Sequence, residues 1–196
     1  MRISFTNSKL SSSIPSINLP AGVTCIPNAP CAKKCYAKKG NFLFENVKLA
    51  HMGNLKQYKE DPKGYFDEII KKTMLCKYVR WHSSGDIVDD EYFAGMVLVA
   101  KKNKGTKYLC FTKKFGIVNR YLKANKLPSN LRIVFSGWGA TFEVLNPFNL
   151  PVAHVRLKNE DNSNIPDIAL PCGGKCYECL ACWQLRKGQS VYFDEH

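Results

Sequence analysis

The sequence predicts an α/β fold: a parallel βα-repeat forming a partial TIM-barrel-like sheet, with a C-terminal cysteine-rich, metal-binding extension. Three observations predict it. Four apolar, β-branched and aromatic segments each end in small or polar residues: KYVRWHSSGD from Lys77, TKYLCFTKK from Thr106, LRIVFSGWG from Leu131 and PVAHVRL from Pro151. Their starts lie 29, 25 and 20 residues apart, which leaves room for crossover helices in at least the first two gaps. Four of the nine cysteines crowd into residues 172–182.

In chain order, Ile17 to Cys25 reads as a first strand running into a cysteine cluster. That places the cluster at a strand's C-terminal end, where parallel α/β folds keep their chemistry. Asn46 to Leu75 reads as helical, with a break at Asp61-Pro62. After the strand from Lys77 comes DDEYFAGMVLVAKKN, a helix that Asp89 or Asp90 can cap and whose last turn carries Lys101 and Lys102. FGIVNRYLKANK supplies a second amphipathic helix, whereas ATFEVLNPFN is too short and too Pro-interrupted for a long one. Alternating strands and helices predict a parallel sheet. Residues 1–171 are thus expected to form one partial βα-barrel domain carrying the N-terminal cluster, and residues 172–196 an extension packed on it.

With 196 residues, 45% of them hydrophobic and 12% aromatic, the chain can bury one substantial core. The first residues lack the apolar stretch of a signal peptide, and the longest apolar run, Gly95 to Ala100, is far short of the roughly 20 residues that span a bilayer. These features predict a cytoplasmic protein with no membrane association. In a reducing compartment an odd set of nine cysteines reads as metal ligands and thiols, not disulfides. Cys76 and Cys110, in apolar settings, read as buried inert thiols. The net charge of +13 favours a polyanionic partner such as nucleic acid or a nucleotide, with a solvated lysine-rich surface as the alternative.

The first cluster is Cys25-IPNAP-Cys31-AKK-Cys35, three cysteines with Pro27 and Pro30 stiffening the loop. A structural zinc site closes with four ligands, so zinc here requires a further donor such as His51, His82 or Cys76. A 4Fe-4S cluster held by three cysteines instead leaves one iron open to a small molecule. The second cluster is Cys172-GGK-Cys176-YE-Cys179-LA-Cys182, a closed set of four. Its density resembles the bacterial ferredoxin run in reverse order and favours a 4Fe-4S cluster, with zinc as the alternative at either site. Gly173 and Gly174 permit close backbone approach, and Tyr177 and Trp183 can shield the site.

Polar residues gather at the predicted strand ends: His82 and Asp86, Thr112 and Lys113, Ser136 and Trp138, and His154 and Arg156. His82 with Asp86 can orient one another or bind an amine, and they are the candidate catalytic pair. Lys113 and Arg156 can receive a carboxylate or phosphate. Trp138 is either a stacking platform or a core residue.

The order of CxxxxxCxxxCYA, RWHSSGD, FTKK, FSGW and a terminal cysteine knot resembles the phage gene product 88-like proteins, over nearly the whole chain; the cytoplasm would then be that of the host. The layout is also similar to the radical S-adenosylmethionine superfamily, although the usual Cys-x3-Cys-x2-Cys spacing is here five and three and Tyr36 follows the last cysteine. That resemblance implies that Cys25, Cys31 and Cys35 hold a 4Fe-4S cluster whose open iron chelates S-adenosylmethionine, which a reduced cluster cleaves to a 5′-deoxyadenosyl radical. It implies that Ser84, Gly85 and Asp86 contact the methionine moiety, with Lys113 and Ser136 nearby, and that an electron donor is a partner. The competing expectations are a zinc-binding basic phage protein that binds nucleic acid without catalysis, and an electron-transfer or sensing protein.

Overall fold

A computed structural model describes residues 1–5 and 9–195. Its strands are β1 (Ile3–Ser4), β2 (Ser16–Ile17), β3 (Tyr78–Trp81), β4 (Lys107–Thr112), β5 (Leu131–Ser136), β6 (Val152–Arg156), β7 (Leu170–Pro171) and β8 (Ser190–Asp194). They form one sheet in the order β1-β2-β3-β4-β5-β6-β8-β7, parallel throughout except for the antiparallel β1–β2 pair. The sheet is open: its edges are β1 and β7, and no pairing closes a barrel among the described residues. The strand expected over Ile17 to Cys25 is the second, β2, and ends at Ile17, because Pro20 and the turn after it carry the chain out of the ladder.

The helices are α1 (Glu45–Glu60), α2 (Pro62–Thr73), α3 (Asp90–Lys102), α4 (Phe115–Leu122) and the single turn α5 (Cys176–Cys179). Pro62 opens α2, where its missing N–H is harmless, and Asp61 caps that helix through Gly64 N. Asp89 caps α3 by accepting from Tyr92 N, with Asp90 and Glu91 in the first turn and Lys101 and Lys102 in the last.

Strand alternation divides the core in two. Val79 and Trp81 of β3, Tyr108 and Cys110 of β4, and Ile133 and Phe135 of β5 pack on one side with the buried faces of α1 to α4. On the other side Leu109, Val134, Ala153 and Val191 meet Leu10, Ile14, Trp183 and Leu185. The last residues do more than pack on a finished domain, for β8 lies inside the sheet between β6 and β7. Cys110 is fully buried, but Cys76 is only partly so. No described helix is long and apolar enough to cross a membrane.

Candidate metal centre

Parallel strands deliver the ends of β2, β3, β4 and β5 to one edge of the sheet. Beyond β3 the chain turns through His82, Ser83, Ser84, Gly85 and Asp86, with positive φ at His82 (58°) and Gly85 (79°). A Cβ on Gly85 would lie 2.7 Å from Leu19 Cβ, Leu19 O and Thr24 Oγ1, so the turn requires glycine. Ser84 Oγ donates to Leu19 O (2.9 Å), Leu19 N to Ser84 O (3.0 Å) and Ser83 N to Asn18 Oδ1 (2.8 Å). Asp86 N donates to Thr24 Oγ1 at 2.9 Å, and Tyr36 OH donates to Ser83 O at 2.8 Å. Thr24 precedes Cys25 and Tyr36 follows Cys35, so the loop carrying the first cysteine set is hooked at both ends to this turn.

That loop forms one wall of a cavity of about 400 Å³. Cys25, Cys31 and Cys35 of the first set and Cys172, Cys176 and Cys182 of the second all line it. Cys179 lies outside it, but all four terminal cysteines share a second hollow of about 30 Å³. Cys172 N donates to Tyr192 O and Cys176 N to Lys9 O, each at 2.8 Å, which anchors the terminal set to β8 and the N-terminal segment. All nine cysteines are free thiols. Among the described residues, no three His, Cys, Asp or Glu side chains converge into an assembled metal-binding group.

The donor chemistry fits a thiolate-bound metal. Burial pushes the Cys25 thiol up; the N–H of Gly22, 3.3 Å from its sulfur, opposes this, while Asp86, Cys31 and Cys35 add to it. The Cys182 thiol is pushed up to about 12 by burial and then by Cys172 and Cys176. Binding of a cation among clustered thiols releases their protons, and an all-sulfur set selects zinc or iron-sulfur chemistry.

Other residues named from the sequence fall in two groups. Asp86 lines the cavity floor, accepting from Thr112 Oγ1 (2.6 Å), Lys113 N (3.0 Å) and Ile87 N (2.7 Å). Burial pushes its carboxyl up, against those bonds. Lys113 Nζ donates to Ser136 Oγ at 2.7 Å and lies 5.8 Å from the centre of the Trp138 ring. Burial lowers its amine, against the attraction of the three N-terminal thiols and Asp86. Ser84, Gly85, Thr112, Ser136 and Trp138 also line the cavity.

His154 and Arg156 of β6 do not line it. His154 faces Asn164, and Arg156 is exposed, paired with Asp194 at 2.6 Å and stacked on Tyr192.

Of the residues considered as a fourth donor to the first set, His51 and Cys76 do not line the cavity and His82 does. His51 packs on Phe42, and Cys76 Sγ points to Lys72 O beyond α2. His82 touches the cavity, but its Nε2 shares a hydrogen bond with Tyr92 OH (3.1 Å) and its Nδ1 faces Cys110 Sγ (3.9 Å). Asp86 bonds to Thr112 and Lys113 rather than to His82. The sequence reading passed over Asn18, Thr24, Arg80 and Ser83. Their only sequence signal was position: Thr24 abuts a cluster cysteine, and Arg80 is the polar residue of an otherwise apolar alternating strand.

An open, mostly parallel α/β sheet with two cysteine sets on one cavity defines the class: a mixed α/β protein with a thiol-lined site. A family model described as Gene product 88 matches residues 2–185. The chain belongs to this phage protein family. Comparisons with curated proteins and with solved structures found no match.

Proposed function

We propose that this protein binds two 4Fe-4S clusters, one on Cys25, Cys31 and Cys35 and one on Cys172, Cys176, Cys179 and Cys182. The observation that carries this reading is that both cysteine sets border one cavity at the C-terminal edge of a parallel sheet, where His82, the one histidine that lines it among the described residues, spends its Nε2 on Tyr92 OH. Three protein ligands leave a coordination position for a small molecule. The reading assigns S-adenosylmethionine to it, and the reduced cluster would supply the electron that cleaves the sulfonium.

The chain's own residues then have distinct tasks. The turn from Ser83 to Asp86 holds the cysteine loop through Thr24 and Tyr36. Ser84, Gly85 and Asp86 present a polar edge to a bound amino acid, with Asp86 and His82 the candidate catalytic pair. Lys113, half-buried, with its Nζ donating to the neutral hydroxyl of Ser136 and lying over the Trp138 ring, offers charge to a carboxylate. The terminal set, closed by its fourth cysteine, is suited to structure or electron relay from a donor.

Protein purified without oxygen is expected to be brown, with about eight irons and about eight sulfides per chain. Replacing Cys25, Cys31 and Cys35 by alanine is expected to halve both values. Reduction with dithionite in the presence of S-adenosylmethionine is expected to yield 5′-deoxyadenosine. Iron and sulfide without that product would overturn the S-adenosylmethionine assignment and leave an electron-transfer or sensing protein. Colourless protein carrying zinc, with nucleic-acid binding that weakens steeply with salt, would overturn the cluster reading.

A further inference from the structure

Two polar groups on the cavity wall lack partners. Alternation along β3 sends Val79 and Trp81 into the helical side of the core, so Arg80 projects to the opposite side, its guanidinium 4.9 Å from the centre of the Phe111 ring. Its Nε is buried without a hydrogen-bond partner, and among the described residues no acidic side chain lies within ion-pair distance of it. Ser83, only 3% exposed, has a hydroxyl that is likewise buried and unpartnered. Both residues line the cavity. Unsatisfied buried donors are costly, and two that line one open cavity are placed to be satisfied by a molecule bound in it.

The acids on the same wall are already occupied. Asp86 accepts from Thr112 and Lys113, Glu195 pairs with Lys34 at 2.7 Å, and Asp194 pairs with Arg156. Leu109, Phe111, Val155 and Phe193 give the cavity an apolar wall beside Arg80.

We propose that this cavity binds a small organic anion whose oxyanion is gripped by Arg80 and Ser83 and whose apolar or aromatic body lies against Phe111, Leu109, Val155 and Phe193. The guanidinium fork matches carboxylate and phosphate oxygens in pairs, and an aromatic body can share the stack that Arg80 makes with Phe111. The proposal extends the cluster reading by naming the class of molecule held between the two cysteine sets, and it shares with that reading only the cavity. A competing role for Arg80 is to neutralise the thiolates of Cys176 and Cys182, toward which its charge acts.

The test titrates phenyl phosphate, benzoate and benzyl alcohol into the full chain by calorimetry at roughly 0.15 M salt, where surface charges are screened beyond about 8 Å. One or both anions are expected to bind saturably with one site, at least about tenfold tighter than benzyl alcohol, and the tighter anion identifies the phosphate or carboxylate source. R80M is expected to weaken the anion roughly ten- to hundredfold, with metal content unchanged; R80K should recover part of the loss and S83A should cost several-fold.

Absence of saturable anion binding by the wild type, or equal binding by R80M, R80K and S83A, would overturn the proposal. So would an R80M protein that loses metal yet keeps its anion affinity, which would assign Arg80 to charge neutralisation. The two readings fail separately: zinc-loaded or metal-free protein that binds anion through Arg80 keeps this site without the clusters, and iron-loaded protein that binds none does the reverse.

Discussion

His82 occupies a left-handed backbone position, φ 58°, that β-branched residues avoid and asparagine accepts. Burial, with a smaller contribution from the charge of Arg80, pushes its imidazole down to about 3. The unfolded chain, with an ordinary imidazole near 6.5, takes up a proton that the folded one refuses. Stability is therefore lost as the pH falls from about 6.5 toward 3, by up to about 1.4 kcal/mol per pH unit from this residue. Asp86 works in the opposite sense, since its raised carboxyl takes up a proton more readily in the folded state. His82→Asn keeps the backbone conformation and removes the titration, so its urea midpoint is expected to fall less steeply than that of the wild type between pH 6.5 and 4. Parallel slopes for the two proteins would show that His82 is not held neutral. The sequence marked His82, Ser84, Gly85, Asp86, Lys113 and Ser136 because they end strands, and all of them reach the cavity. It was silent on what holds them. Tyr36 meets Ser83 across 47 residues and Asp86 meets Thr24 across 62, and contacts of that separation leave no local pattern to read.

Among the elements, β3 to β6 were legible from their apolar, β-branched and aromatic runs, α2 and α3 from their Asp caps, α4 from its amphipathic period, and the α1–α2 boundary from the Asp61-Pro62 break. The terminal segment was not, because its cysteines dominate the pattern and SVYFD is a short run at the very end. That run becomes β8, and Trp183, just past the last cysteine, becomes its companion in the core. The indole is 5% exposed, packs edge-on against Tyr78 with 5.7 Å between ring centres, and donates from Nε1 to Val79 O at 3.3 Å. Trp183→Ala is expected to cost about 3–5 kcal/mol, through the cavity it leaves and the lost packing. Because Trp183 reaches β3 while β8 pairs with β6, the loss is expected in one cooperative unfolding transition seen equally by far-UV and near-UV circular dichroism. Two separated transitions would mark residues 172–195 as an independent unit after all.

Taken whole, the molecule is asymmetric across its sheet. One face is closed by four helices and an aromatic cluster in which Tyr58, Tyr65, Phe66 and Tyr92 pack edge to face. The other is covered by Leu10 and Ile14 of the N-terminal segment and by two cysteine-bearing segments built mainly of turns, with one four-residue helix and short 3-10 turns. The first segment buries little apolar surface of its own, and the second is anchored chiefly by Trp183 and Leu185. If the cysteine sets bind metal, binding free energy must supply much of the order on this face. Metal removal is therefore expected to lower the thermal midpoint by on the order of 10 °C, the equivalent of several kcal/mol in a chain of this size. The loss should also be local. Amide exchange is expected to accelerate in residues 21–44 and 172–189 while β3, β4, β5 and the helices packed on them keep their protection. Uniform loss of protection over the whole chain would show that the two faces fold as one unit in which metal has no separate share. Unchanged exchange after complete metal removal would show that the cysteine segments are held by their packing and by the Thr24, Tyr36 and Trp183 contacts alone.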